Sequence, residues 1–493
     1  LTDRTLQGES ASAPPRHVDV GDAGYSKSLK ARHINMIAIG GAIGTGLFLG
    51  AGGRLAQAGP ALAIAYAVCG VFAFFVVRAL GELILHRPSS GAFVSYAREF
   101  MGEKGAFVAG WMYFLNWATT GIADITAIAL YAHYWSLFTP VPQWVLALVA
   151  LVAVLLLNLV SVKLFGEMEF WFAIIKVGAL VAFMFVGIGL LVMGTPIGGT
   201  VPSPALLLDQ GGVLPNGLVP LVLVIQGVVF AYAAVELVGV AAGETEDPAR
   251  VMPKAINSIM WRIGIFYVGS VVLLSMLLPW HQYEKGQSPF VTVLSELGIP
   301  AAGDVMNLVV LTAAMSSLNS GLYSTGRILR SMAAAGSAPG FTGLMNRNQV
   351  PYGGILLTAA VCVLGVGLNY VVPAAAFEIV LNFAAIAIIT TWSMIMLCHL
   401  LFVRKANSGE VVRPGYRLPG SPVTQIATIA FLLSVVVLMW FDVPAGRVTL
   451  MCVPLLAAAL VIGWFSVRKR VDAVMGTGQR HAGRQNRPKA DNT

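Results

Sequence analysis

Residues 40–53 read GGAIGTGLFLGAGG, with seven glycines in fourteen positions. They lie inside an apolar stretch that begins near Ile34. Glycine is a poor helix former and leaves its backbone bare, so this is an odd filling for a plain membrane span. Three readings compete. A nucleotide cradle is disfavoured, because the string lacks the P-loop lysine and its order is GxxGxG rather than GxGxxG. Helix packing is served by two GxxxG pairs, Gly40 with Gly44 and Gly46 with Gly50. The third reading is a broken helix, in which freed backbone groups near the membrane midplane bind a small polar solute or ion. Gly44, Thr45 and Gly46 lie near mid-depth and offer three bare amides and a hydroxyl, a set suited to a carboxylate.

A break of this kind calls for a partner in the other half of the chain. The segment LVLVIQGVVFAYAAVELVGVAAGETEDP places residues 230–234, FAYAA, at similar depth, with Glu236 just beyond. Its composition is only weakly helix-breaking. A carboxylate at that depth, however, is costly and points to function.

Composition sets the class. The 493 residues are 57% hydrophobic and 11% charged, with mean hydropathy +0.78. Soluble domains carry about 25% charged residues, so the chain is a polytopic membrane protein, all-α in fold. Twelve apolar spans are expected at 34–57, 60–85, 107–135, 144–161, 168–193, 217–242, 262–280, 302–330, 353–372, 376–403, 424–441 and 448–467. Residues 1–28 are expected to be a disordered cytoplasmic tail with no apolar leader core, and residues 471–493 a second, basic one. The transporter domain is then 29–470.

The net charge of +8 is explained by topology. With the N-terminus inside, Lys27, Lys30, Arg32, Arg87, Arg98, Lys104, Lys163, Arg250, Lys254, Arg327, Arg330, Arg347, Arg404, Lys405, Arg413 and Arg417 are cytoplasmic, whereas the outer loops hold Arg54, Lys285 and Arg447. Both termini are therefore expected inside the plasma (inner) membrane. The basic charge implies contact with anionic lipid and gives no support for nucleic acid. Cys69, Cys362, Cys398 and Cys452 lie in apolar segments without a CxxC or a histidine cluster, so neither a disulfide framework nor a metal site is suggested.

Six motifs in order carry a resemblance: GGAIGTGLFLGAG (40–52), RALGELILHRPSSGAFVSYAREF (78–100), GWMYFLNWATTGIADITA (110–127), EMEFWFAIIKV (167–177), AAVELVGVAAGETEDPARVMPKAIN (233–257) and SSLNSGLYSTGRILRSMA (316–333). Together they resemble the amino acid transporter family of the amino acid–polyamine–organocation superfamily over residues 28–470, nearest to its asparagine-carrying actinobacterial members. The resemblance implies spans 1–5 and 6–10 (34–193 and 217–403) as an inverted repeat, spans 1 and 6 broken at the centre, and peripheral helices over 424–467. It also implies proton-coupled uptake of an amino acid by alternating access, L-asparagine foremost. Another neutral amino acid, γ-aminobutyrate or an aromatic amino acid is the alternative substrate. No cofactor is implied beyond the proton gradient as energy source. The oligomeric state is left open.

The same resemblance assigns roles. Gly44, Thr45 and Gly46 take the substrate α-carboxylate, carbonyls near Ile43, Phe230 and Ala231 receive the α-ammonium, and Ala234 is counted among the substrate-binding residues. Phe230 is either an aromatic gate or core packing. Glu236 carries the proton, ties the half-helices together, or is structural. Asp124 stands where many relatives carry glutamate, and either reads the substrate side chain or takes part in proton coupling. Lys176 matches a lysine standing near the sodium position of sodium-coupled relatives, which favours proton over sodium; the alternative is a lysine snorkelling to an interface. Ser316, Ser317, Asn319 and Ser320 form a polar face on span 8, either beside the cation region or as packing glue. Arg78 and Glu82 are four apart and share a face of span 2, as an inner-gate element or a plain structural pair. The segment GETEDPARVMPKAIN is expected to be a solvated cytoplasmic loop. A membrane-embedded enzyme is disfavoured, because the sequence has no HExxH and no His–Ser–acid grouping. A channel is disfavoured because buried acids beside paired breaks suit a carrier better.

Overall fold

The computed structural model describes residues 43–89, 91–242, 247–373 and 376–485, with Arg32 and Met36, and side chains as far as 474. The expected N-terminal tail, Gly40 and residues 243–246 of the expected loop lie outside the described residues. Among the described residues the only strand-like pairing is an isolated bridge between Ile197 and Thr200; the rest of the regular structure is helical. Eight helices among the described residues are long and apolar enough to cross a membrane. The protein is a multi-pass, all-helical membrane protein.

The first apolar stretch is not one helix. Ile43 and Gly44 are non-helical, and Gly44 is extended at φ −135°, ψ −161°. Helix α1, Thr45–Phe48, is a single turn, and α2, Gly50–Ala58, follows after Leu49. Gly59, at φ +65°, ends α2 in a backbone region that favours glycine. Pro60 then opens the turn into α3, Leu62–His86.

Helix α4, Ala92–Ala132, bends at Gly102 (φ +76°) and takes in residues 92–101, which lie between the expected second and third spans. Helix α5 is Gln143–Val160 and α6 is Val162–Met193, with Ser161 Oγ accepting the Leu164 amide at 3.1 Å between them. The sixth stretch is broken into α7 (Leu218–Leu223), α8 (Ile225–Ala231) and α9 (Leu237–Ala241).

Helix α10, Pro248–Arg262, corrects the expected loop. Asp247 caps it through the Arg250 amide and Pro248 fills the first turn, while Met252, Ala255 and Ile256 are buried on one face. An aspartate cap followed by proline starts a helix without help from hydrophobicity. The helix runs through a π-helical stretch, Ile263–Gly269, into α11, Ser270–Leu277. Helices α12 (Ala302–Ala334), α13 (Tyr352–Val371), α14 (Ala376–Asn407), α15 (Val423–Met439) and α16 (Ala445–Gln485) complete the fold. Helix α16 continues past residue 470 into the expected tail.

Burial separates the centre from the rim. In the most apolar stretch of α14, 72% of residues are buried, against 6% in α16. Helices α4, α12 and α14 surround the fully buried Trp117, Trp392, Tyr113 and Tyr323. The outward side chains of α5, α6 and α16 include exposed Val149, Leu156, Phe185, Val192, Leu455 and Ile462, as befits helices facing hydrocarbon.

Candidate functional site

The two broken stretches cross at Gly46. A Cβ built on Gly46 would lie 2.4 Å from Ala231 Cα and 3.0 Å from Ala231 N, so backbone rests on backbone and no other residue fits. Gly44 is roomier: its nearest neighbours are Ser317 Cβ and Oγ, 3.8 Å from such a Cβ. In α1, the Leu47 and Phe48 amides bond to the Gly44 carbonyl. No described residue accepts from the Thr45 or Gly46 amides, as expected at a helix start.

The second break runs from Tyr232 to Glu236. Ala234 sits at φ +74°, a region an alanine enters only at a cost. The carbonyls freed there are partly used: Phe230 O accepts from Ala233 N at 2.9 Å, and Ala231 O accepts from Tyr267 Oη at 3.1 Å. A carbonyl has two lone pairs, so each can take a further donor. Phe230 is buried on the last turn of α8. Tyr232, Tyr66 and Tyr267 pack together behind the break, and Tyr232 Oη donates to Tyr66 O at 2.7 Å.

Two carboxylates flank the crossing. Asp124 Oδ1 accepts from Thr45 Oγ1 at 2.9 Å, and Ser317 neighbours the same carboxyl group; Asp124 Oδ2 is buried with no partner among the described residues. Glu236 Oε2 accepts from Trp392 Nε1 at 3.2 Å, and Oε1 is likewise buried without one. Each acid thus has one oxygen that no described residue hydrogen-bonds. Buried polar atoms without partners are uncommon and call for an explanation.

Lys176, Ser316 and Asn319 come together with a residue the motif reading passed over. Lys176 Nζ donates to Ser316 Oγ at 3.0 Å, and Ser316 Oγ donates to Glu169 Oε2 at 2.7 Å. Asn319 Nδ2 donates to Glu169 Oε1 at 2.9 Å, and Asn158 Nδ2 donates to Asn319 O and Oδ1. All five are buried. Lys176 is therefore held inside the bundle, away from any interface. The signal for Glu169 was available: seven residues before Lys176 is two helical turns, the same face. Ser320 is buried nearby, its hydroxyl unpartnered among the described residues.

Arg78 and Glu82 do not pair with each other among the described residues. Arg78 Nη1 donates to Asn257 Oδ1 at 2.5 Å, Arg78 Nε donates to Arg417 O at 3.0 Å, and the guanidinium lies 3.4 Å over the Tyr416 ring. Glu82, fully buried, accepts from Arg413 Nε at 2.5 Å and from the Leu418 amide at 2.7 Å, and contacts His399 Nε2 at 2.9 Å. Both side chains fasten the loop 408–422 onto α3, a role that needs partners more than 150 residues away and is invisible locally.

Arg54 also moves. Its basic charge at the end of an apolar stretch suggested an outer loop, but it belongs to α2 and is 8% exposed, with Nη1 donating to Gly46 O at 3.0 Å.

Two helices broken at one level, crossing backbone to backbone beside buried acids, define a carrier of small solutes. A profile of the amino acid permease family matches residues 33–475, and the chain belongs to that family. It is a transporter of amino acids and not an enzyme. It is 73% identical to an L-asparagine permease of Streptomyces coelicolor over 92% of this chain and 93% of the relative. It is 59% identical to an L-asparagine permease of Escherichia coli over 96% and 95% of the two chains. With L-asparagine permease 1 of Mycobacterium tuberculosis it shares 57% identity over 94% of each.

Proposed function

We propose that the protein imports L-asparagine with protons, by alternating access, across the plasma membrane. The observation that carries this is the Gly46–Ala231 crossing flanked by Asp124 and Glu236, each with a buried carboxylate oxygen that has no partner among the described residues. The names of its relatives support asparagine as the substrate. In this reading the chain crosses the membrane twelve times, as two inverted five-helix repeats with two peripheral helices, and both termini are cytoplasmic.

The α-carboxylate is taken by Gly44, Thr45 and Gly46, where the Thr45 hydroxyl already points at an acid. The α-ammonium meets the second lone pairs of the Phe230 and Ala231 carbonyls and the carbonyl of Ile43. Phe230 closes over the bound amino acid. Asp124 meets the side-chain amide or a proton through Oδ2. The chain Lys176–Ser316–Glu169–Asn319 holds a cation against an acid through one hydroxyl, an arrangement that can pass a proton when the site changes state. No cofactor is needed. The proton gradient supplies the energy, and the basic loops face anionic lipid.

The test uses purified protein in liposomes, labelled L-asparagine outside and an imposed inward proton gradient. Accumulation above equilibrium that collapses with a protonophore is expected. Unlabelled asparagine should block it, and glutamine, aspartate, γ-aminobutyrate and phenylalanine should do so only weakly. Gradient-driven uptake of one of those competitors instead would replace the substrate. No gradient-driven uptake of any of them would remove the coupled-carrier reading.

A further inference from the structure

One buried charge beside the crossing has no task in that scheme. Arg54 lies two turns beyond Gly46, and its side chain reaches back to the Gly46 carbonyl. In an unbroken helix that carbonyl would take the Gly50 amide. The guanidinium fills a slot made by two glycines. A Cβ on Gly50 would fall 2.2 Å from Arg54 Nη1, and one on Gly227 of α8 would fall 2.3 Å from Nε. Gly227 is four residues before Ala231, as Gly50 is four after Gly46. The two broken stretches thus touch directly at one level and clamp the guanidinium one turn further along.

The hydrogen bond to Gly46 O does not require a charge; an amide side chain could donate it. Burying a guanidinium costs much more than burying an amide unless an anion accompanies it. Among the described residues no carboxylate forms an ion pair with Arg54. Asp124 is engaged by Thr45, the neighbour of Gly46, and Lys285, packed on Gly53, adds a second positive charge on an exposed segment. Arginine does not lose its proton in proteins. The crossing therefore carries a permanent positive charge, fixed in position by backbone contacts.

We propose that Arg54 sets the charge selectivity of the site, excluding amino acids whose side chain bears a positive charge. This rests on the reading that the amino acid binds at the Gly46–Ala231 crossing. A substrate with a neutral side chain meets donors from Arg54 and an acceptor from Asp124. A cationic side chain of the same length meets a like charge in a medium of low dielectric.

The test compares inhibition of labelled L-asparagine uptake by unlabelled L-asparagine and by L-2,4-diaminobutyrate, which carries an ammonium group on a side chain of similar length. Parent, Arg54→Lys and Arg54→Gln are reconstituted as full chains and assayed at a pH where that amine is protonated. In Arg54→Gln the ratio of the two inhibition constants should shift toward diaminobutyrate by at least about tenfold, the scale of one charge pair about 12 Å apart at an effective dielectric of about 20. In Arg54→Lys it should stay within about twofold of the parent. If Arg54→Gln does not transport, the same ratio is read from the rise in melting temperature that each ligand gives the detergent-solubilised protein. An unchanged ratio in Arg54→Gln by either readout overturns the proposal, since a merely structural arginine would weaken both ligands alike. A parent that neither takes up nor binds L-asparagine would instead remove the substrate reading beneath it.

Discussion

Gly46 and Ala231 meet with no side chain between them: a single added carbon on Gly46 would sit 2.4 Å from Ala231 Cα. Gly46→Ala should therefore act as overpacking, costing about 1–3 kcal/mol and abolishing uptake. Gly44→Ala faces Ser317 at 3.8 Å and has extended backbone that any residue adopts, so its stability should change by less than about 0.5 kcal/mol. Thermal unfolding of the two variants in detergent compares them directly. Equal melting temperatures would contradict the crossing.

Thr45→Val keeps the shape of the side chain and removes the hydroxyl that Asp124 Oδ1 accepts. Leaving a buried acceptor without its donor costs about 1–3 kcal/mol. With the pair at the proposed substrate site, most of that cost should appear as a higher KM for asparagine. Thr45→Ser should restore most of the affinity, and failure of that rescue would assign the loss to packing.

Glu169 accepts two donors, so Glu169→Gln forces an amide NH2 against either Ser316 or Asn319. Proton-driven accumulation should fall at least about tenfold, the equivalent of 1.4 kcal/mol. Exchange of internal for external asparagine, which needs no net proton movement, should persist. Loss of both activities in parallel would make Glu169 a structural residue.

Trp392→Phe removes the side-chain donor to Glu236 Oε2, and the other oxygen has no partner among the described residues. Destabilisation of about 1–3 kcal/mol is expected. The double variant with Glu236→Met should be destabilised by less than the sum of the single changes, because both remove one interaction. Additive effects in unfolding experiments would mean the two residues act apart.

The loop 408–422 is fastened through Glu82, and removing one partner of a buried pair typically costs about 3–5 kcal/mol. Glu82→Ala should release the loop and speed trypsin cleavage at Arg417, the bond after Arg413 being protected by Pro414. With the cytoplasmic assignment of that loop, cleavage should occur in inside-out vesicles and not in right-side-out ones. Cleavage from the outside would invert the topology.

Much of the helical plan could be read because length and apolarity decide it: α5, α13 and α14 begin within a residue of the expected spans. The break at Gly44 was visible because bare backbone is written into the sequence as glycine. Legibility ended where partners lie far along the chain. Trp392 for Glu236, Tyr267 for Ala231 and Arg413 for Glu82 are tertiary choices that no local spacing encodes. Arg54 was misplaced for a different reason. A charge near the end of an apolar run normally marks the water boundary, and only the glycine slot opposite it makes burial feasible. The helix α10 was hidden because its amphipathic composition resembles a loop when only hydropathy is weighed.

The alanine at 234 has a consequence for how the carrier can move. A glycine there would accept φ +74° at almost no cost, and the sixth stretch would rest in its broken form. Alanine makes that form dearer by a fraction of the energy of one helical turn, while the flanking residues keep ordinary helix preferences. The broken form therefore lies closer in energy to a continuous helix than it would with glycine at that position.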